Sequence, residues 1–376
     1  MSCEVQSIII HSELLLLTSY LNSGCVGQSF VQRCMNHPKN GNQTKGEEPM
    51  TILKRLKAAV TAVALSLAAV SGAIADENGP ILVVSGPLSW PFFAAVKQGF
   101  DDGAETFGLD YQYIAVTDTS NMTSDYPRLL QQAISRNPRM LLVGEFFPDG
   151  MDPLIKEATA SGIPVLIHNS GQTLWEQNGS IGFIGEDPFQ MGYKAGEIQA
   201  KAGVKLGLCF NQVPGNPTVE ERCNGYVAAM EEAGVETIYQ TIGTGDATNP
   251  QAMTQAIKGT LQANPGIDGI YTLNAVPAMS ALRAVDEVGR KGDVMVGTAD
   301  LSNEALLAIQ SGDLAFAMDQ QPYLQGFMSM QVAFQYLNYG LQPIGHVKTG
   351  PLVIDSSNVD STLEVNRKHA GVRGAS

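Results

Sequence analysis

The sequence predicts an α/β fold made of two doubly wound parallel-sheet lobes, and three observations carry that prediction. From Pro80 onward, short apolar runs alternate with amphipathic helical segments, the order expected of a parallel sheet covered by helices on both faces. After Gly203 the alternation begins again, so there are two consecutive series. Neither a linker rich in Gly, Ser or Pro nor a low-complexity stretch separates them.

In the first series "ILVVS" (81–85) precedes a helix whose apolar stripe is Phe93, Val96, Phe100, Ala104 and Phe107, spaced three or four apart. "YQYIAV" then precedes "YPRLLQQAISRN", "MLLVG" precedes "MDPLIKEATASG", and "VLIH" and "IGFIG" follow. The boundary falls near 185–189, where Asp187-Pro188 favours a turn into the helix "FQMGYKAGEIQAKAG". In the second series "LGLCFN" precedes the helix around "VEERCNGYVAAMEEAG" and "TIYQTI" precedes "QAMTQAIKGTLQA". "IDGIYTL" then precedes "AMSALRAVDEVG", "DVMVGTA" precedes "NEALLAIQSG", and "LAFAMD" closes the set. What remains, "QPYLQGFMSMQVAFQYLNYG" and "GPLVIDS", reads as one helix and one strand.

The 376 residues carry a formal net charge of -14, with 44% hydrophobic and 16% charged residues. That acidity argues against a nucleic-acid partner, which would call for clustered Lys and Arg. From Met50 the sequence "MTILKRLKAAVTAVALSLAAVSGAIADENGP" has a basic start (Lys54, Arg55, Lys57), an apolar run from Ala58 and the small triplet Ala73-Ile74-Ala75. This is the pattern of a secretory signal peptide cleaved after Ala75. The run is short, rich in small residues and without a following charge cluster, unlike a membrane-spanning helix. Residues 1–49 show no sustained period, and "KGEEP" just before Met50 can be encoded by a purine-rich run resembling a ribosome-binding site. Translation is therefore expected to start at Met50, with 1–49 a mis-assigned extension. Of the 23 basic and 37 acidic residues, six and four precede Asp76, leaving 17 and 33 and a net charge of -16 in the exported part.

Only Cys209 and Cys223 lie in that part, one on a strand and one on the following helix. A disulfide and two isolated buried thiols both fit, because spacing alone does not show whether the side chains converge.

Open parallel sheets take ligands beyond the C-terminal ends of their strands, and candidate residues cluster there. Trp90 precedes a proline and should be extended, with Pro91 at the first helical position. Phe93 heads the core stripe, which leaves Trp90 and Phe92 as surplus rings, either stacking on the C–H face of a sugar or capping the core. In "GNPTVEERCNGY" the Thr218-x-x-Glu221 spacing is a capping-box signature that puts Arg222 in about the first helical turn. The helix dipole disfavours a cation there, so Arg222 serves either a ligand or a pairing with a nearby Glu or the other lobe. Asn274, Asp300 and Gln320 each follow a second-series strand. Their mixed donors and acceptors suit a neutral polyhydroxylated ligand, although each alone could be a cap or turn former. No cofactor motif stands out: no P-loop, G-x-S-x-G elbow or G-x-G-x-x-G follows a first strand, and no His or Cys pair has metal-ligand spacing.

Taken together, "PFFAAVKQGFDDGAETFG", "ASGIPVLIHN", "GFIGEDPFQMGYKAGE", "EERCNGY", "DVMVGTAD" and "MDQQPYLQGFMSM" resemble, in order and spacing, the type I periplasmic sugar-binding proteins of ABC transporters. The resemblance covers nearly all of 80–356. It implies a hinge of three segments, with an N-terminal lobe of 76–185 plus about 321–346 and a C-terminal lobe of 186–320 plus about 347–376. The last crossing would lie between 345 and 350. It also implies that Phe92 and Phe93 sandwich a sugar, and that Arg222, Asn274, Asp300 and Gln320 bind its hydroxyls. Asn169-Ser170 stands where ribose-binding relatives carry Asp-Arg. That departure argues against ribose and leaves another pentose, a hexose or a sugar alcohol, with Asn169 still a candidate ligand contact. The expected partners are a small carbohydrate and an inner-membrane ABC permease, with a monomeric binding protein in the periplasm and no enzymatic activity. A sensory role, presenting a sugar or furanosyl quorum signal to a chemoreceptor, is the alternative.

Overall fold

The structure, a computed structural model, describes residues 79–375. The expected signal peptide, its cleavage after Ala75 and the segment 1–49 lie outside the described residues.

Two six-stranded sheets form the frame. β1 (Ile81–Val84), β2 (Tyr111–Ile114), β3 (Met140–Val143), β4 (Val165–His168) and β5 (Phe183–Glu186) join β11 (His346–Gly350) in the order β11-β5-β4-β3-β1-β2. All of these pairings are parallel. The second sheet contains β6 (Leu206–Asn211), β7 (Glu236–Thr241), β8 (Gly269–Thr272), β9 (Met295–Ala299), β10 (Phe316–Asp319) and β12 (Leu352–Asp355), ordered β12-β10-β9-β8-β6-β7. Here only β12 runs antiparallel, against β10. β1, β3, β4 and β5 are buried at every position, which is why their sequences read as apolar runs, broken only by His168 and Glu186 at the ends of β4 and β5, and do not alternate.

The helices are α1 (Pro91–Phe107), α2 (Met122–Ile134), α3 (Pro148–Ala160), α4 (Pro188–Lys201) and α5 (Pro217–Glu232), then α6 (Pro250–Ala263), α7 (Ala275–Glu287), α8 (Asn303–Ser311), α9 (Pro322–Tyr339) and α10 (Val359–Lys368). α1 begins as its sequence predicts: Trp90 is extended, Pro91 opens the helix, and Gly108 ends it in the left-handed conformation. Phe93, Val96, Phe100 and Ala104 enter the first core, with Phe107 packed on its edge.

Each lobe is closed by one close helix crossing that only glycine permits. A Cβ at Gly99 on α1 or at Gly326 on α9 would stand 2.0 Å from the carbonyl oxygen of Tyr323 or Val96. In the second lobe, a Cβ at Gly192 on α4 or Gly225 on α5 would meet the carbonyl oxygens of Arg222 and Phe189 at 1.8 and 2.0 Å. Any larger residue would force these helices apart.

Three segments link the lobes among the described residues: β5 to α4, β10 to α9, and β11 to β12. They run side by side, with the Gln321 side-chain amide donating to the Thr349 carbonyl at 2.7 Å and Lys348 pairing with Asp187 at 2.7 Å.

The end of the chain departs from expectation. "GPLVIDS" holds the expected strand as β12, but a further strand, β11 over "HVKTG", precedes it; the two sit in different sheets and meet at the cis Gly350–Pro351 bond. Residues 347–350 thus stay with the first sheet, and the crossing falls at the far end of the expected 345–350 window. α10 was not anticipated. Its apolar positions are sparse, with Val359, Thr362 and Asn366 as the buried face, so no strong 3.6-residue stripe announces it.

Near α5 one open alternative is decided and one expectation is corrected. Cys209 on β6 and Cys223 on α5 form a disulfide with Cα atoms 5.9 Å apart. The N-cap of α5 is Asn216, whose side chain accepts from the backbone N–H of Thr218 and Val219, and Pro217 opens the helix. The capping-box reading of Thr218 and Glu221 was therefore two residues late, and Arg222 lies in the second turn.

Candidate functional site

One cavity opens between the lobes, and all eight candidate residues line it. They arrive there because the lobes face each other across the C-terminal ends of their strands, where the chain leaves each sheet.

The first lobe supplies an aromatic wall. Phe92 and Phe93 meet edge to face at 5.0 Å, and Phe93 meets Phe146 the same way at 5.6 Å. Trp90 tilts against Phe93 at 6.0 Å, and Tyr126 packs on Phe146 at 4.9 Å. Phe92 and Phe93 keep only 8% and 6% of their surface exposed, so each belongs to the core and to the cavity lining at once. The two readings of the surplus rings are thus not exclusive.

Polar groups come mainly from the second lobe and the hinge, with Asn169 added from the first lobe. Asn274 caps α7 by accepting from Val276 N, and its Nδ2 donates to Asp300 Oδ2 at 2.9 Å. Asp300 Oδ1 accepts a short hydrogen bond from Gln320. From the first lobe, Asn169 Nδ2 donates to Gln320 Oε1 at 3.3 Å and to Gln325 Oε1 at 3.1 Å. Asn169, Asp300 and the hinge residue Gln321 hold positive φ angles of 63°, 60° and 54°. Such strain in non-glycine residues concentrates where surrounding structure holds a functional geometry in place.

For Arg222 the pairing with a nearby Glu is realised, at a position that also faces the cavity: Glu186 Oε1 accepts from Nε at 2.7 Å and from Nη2 in a shorter contact. Nη1 donates to the Leu273 carbonyl at 2.7 Å, and Asp300 Oδ1 stands 3.8 Å from Nη2. Burial pushes the Glu186 carboxyl up to about 7, with the Arg222 charge pulling against it. For Arg222, burial acts to lower the pKa, but the carboxylates of Glu186 and Asp300 outweigh it and hold the guanidinium charged.

Ser170, the neighbour of Asn169, is turned into the lobe interface. Its hydroxyl donates to the Glu145 carbonyl at 2.8 Å and accepts from Thr218 Oγ1 at 3.0 Å, a direct hydrogen bond from one lobe to the other. Only Asn169 of that pair lines the cavity.

Among the described residues no group of His, Cys, Asp and Glu is placed to hold a metal ion. His168 lies outside the cavity lining, fully buried against the Phe100 ring at 5.3 Å, and burial lowers its pKa to about 3.

Several lining residues escaped the sequence reading. Phe146 and Phe147 follow β3 as "FF", repeating the strand-end aromatic signal of "WPFF", while Gln212 and Asn216 follow β6. The same rule, polar or aromatic residues just past a strand, would have found them. Glu186 carried a different signal, a carboxylate closing an otherwise apolar strand.

The sequence profile of a family described as periplasmic binding protein domain matches residues 81–342. The xylose/arabinose-binding protein of Sulfolobus acidocaldarius is 26% identical over 296 residues, 74% of this chain and 71% of that one. The ribose import binding protein of Salmonella typhimurium is 27% identical over 288 residues, 76% and 93% of the two chains. Among solved structures, a carbohydrate transporter from Acidothermus cellulolyticus in complex with myo-inositol superposes with a TM-score of 0.70 at 26% identity, covering 78% of this chain and all of that one.

Proposed function

The chain belongs to the periplasmic binding protein domain family, and from that premise we propose that it captures a small neutral carbohydrate between its lobes for an ABC importer. The observation that carries this reading is the division of the cavity into an aromatic wall and a hydrogen-bonding wall. A sugar or cyclic polyol has the matching division, with C–H faces that stack on rings and hydroxyls around its rim that both donate and accept.

Trp90, Phe92 and Phe93 would hold the apolar face of the ligand. Asn169, Arg222, Asn274, Asp300 and Gln320 would satisfy its hydroxyls. Asn169, Gln320, Asp300 and Asn274 are already joined to one another by hydrogen bonds, and Arg222 is held by Glu186 and the Leu273 carbonyl, so little side-chain freedom is left to lose on binding. Because the walls belong to different lobes, a ligand touching both binds the closed arrangement better than an open one, and this difference in affinity is what drives closure. The closed form would then be the one an inner-membrane permease recognises.

Relatives named for xylose/arabinose and ribose, and a structure holding myo-inositol, support the carbohydrate class. The family is one of binding proteins, and no reaction is assigned to the cavity. With export through the leader 50–75, the site of action is the periplasm.

A thermal-shift panel of residues 76–376 with pentoses, hexoses, alditols and inositol, and amino acids as controls, tests the reading. A ligand that binds only the folded state raises the melting temperature with concentration. A shift confined to carbohydrates is expected. No shift with any of them, after co-purified ligand has been removed by unfolding and refolding, would overturn it.

A further inference from the structure

Arg222 is the cation and Asp300 the anion among the described residues that line the cavity. Behind Arg222, outside the lining, the last residue of β5 adds a second anion. Glu186 is fully buried, its Oε1 accepts from Arg222 Nε and Nη2, and its Oε2 has no hydrogen-bond partner. Of the five N–H groups of the guanidinium, two are therefore held by Glu186 and a third by the Leu273 carbonyl.

With both carboxylates ionised, the cluster of Glu186, Arg222 and Asp300 carries one net negative charge. A buried arginine left alone would attract carboxylates, since its planar fork matches them bidentately. In this cavity the fork is already occupied from behind, and Asp300 flanks it at 3.8 Å. An entering carboxylate would meet like charge in a desolvated setting, a repulsive element of the kind that gives binding sites their selectivity. A hydroxyl has no such conflict, because it can accept from a remaining Arg222 proton and donate to Asp300.

We propose that Glu186 is a positioning residue that sets the charge class of the ligand: by holding Arg222 as half of an ion pair, it makes the cavity accept uncharged sugars and reject the corresponding sugar acids. The inference rests on the carbohydrate-capture reading and names the part of it that Glu186 controls.

The test is calorimetric titration of wild type and Glu186→Gln at pH 8, above the range in which the Glu186 carboxyl takes up a proton. The probes are four pairs: glucose with glucuronate, galactose with galacturonate, ribose with ribonate and xylose with xylonate. Wild type should bind a neutral member and discriminate against its acid by about a hundredfold or more. In Glu186→Gln that ratio should fall by about tenfold or more, because Arg222 then presents an unmatched charge. A merely structural role for Glu186 would weaken both members of a pair together and leave the ratio alone.

An unchanged ratio in a variant that still binds the neutral sugar overturns this inference and leaves the capture reading standing. So does a wild type that binds the acid as tightly as its neutral partner. If no neutral sugar binds wild type, the capture reading falls for these classes and this inference falls with it. A buried charge stripped of its partner can prevent folding, and in that event Glu186→Gln/Arg222→Gln decides. It removes the cation together with its mask, so the wild-type ratio should persist within about threefold. A further tenfold loss of acid binding relative to the neutral sugar would show that Arg222 had been acting as a free cation, and would sink the proposal.

Discussion

In the first lobe the segments that follow the strands bring rings to the cavity, Trp90, Phe93, Phe146 and Phe147 among them. In the second they bring amides and charges: Gln212, Asn216, Asn274 and Asp300. The frames beneath are nearly the same, with matching strand orders and one glycine-to-glycine helix crossing each. The comparison teaches that strand bodies and helix stripes set the architecture, while a few residues past each strand set the chemistry. It also exposes two asymmetries. The second lobe has a disulfide tying α5 to its sheet, without a counterpart among the described residues of the first. And the buried glutamates both leave the first lobe's sheet, with different standing: Glu186, at the end of β5, is paired with an arginine of the second lobe, whereas Glu145, after β3, has only Asn178, at 3.0 Å, as a hydrogen-bond donor to its side chain.

The largest expected effect comes from breaking the first wall where it is also core. Phe93→Ala should cost about 3–5 kcal/mol of stability, the usual range for deleting a buried ring, and should abolish ligand binding at room temperature. Urea unfolding followed by titration measures both, and a stable variant with wild-type affinity would separate Phe93 from both roles.

Next is the staple of the second lobe. Cys209 and Cys223 are 14 residues apart, a loop for which cross-linking is worth about 3 kcal/mol on chain-entropy grounds. Cys209→Ala/Cys223→Ala should lower the urea midpoint by a corresponding amount. Added reductant should do the same to wild type and nothing to the variant, and equal sensitivity of the two would contradict the pairing.

Glu145 sharpens the contrast between the buried carboxylates. Burial raises its pKa from 4.5 to about 7, with Asn178 pulling the other way, so between those values the folded state holds a proton that the unfolded chain releases. Its contribution to stability is therefore fully present below about pH 4.5 and is lost as pH rises toward about 7. Glu145→Gln can still accept from Asn178 and should gain about 2–3 kcal/mol over wild type between pH 5 and pH 8. Urea midpoints at the two pH values measure this, and a variant whose advantage does not grow with pH rules it out.

The smallest effect tests the aromatic wall without the core. Trp90 is only partly buried, so Trp90→Ala should leave the melting temperature within a few degrees of wild type. Ligand affinity should fall about tenfold, roughly 1.4 kcal/mol, as a stacking surface is removed. Unchanged affinity would mean that the rings serve packing alone.

What the sequence by itself determined was everything local. Apolar runs, helical stripes, Pro91 at a helix start and the restart of the series after Gly203 depend on neighbours a few residues apart, so strand-helix order and the fold class were legible. The strand-end rule also brought Asn274, Asp300 and Gln320 into view, because a parallel sheet sends those positions to one edge wherever its partners lie. Tertiary structure alone decided what joins distant positions: that Cys209 meets Cys223, that Glu186 grips Arg222 from behind, that Ser170 touches Thr218 across the lobes, and that the chain passes from one sheet to the other at Gly350. Periodicity reports which face of an element is buried. Which charge or hydroxyl it meets there depends on how two lobes, built from separated stretches of chain, are held against each other.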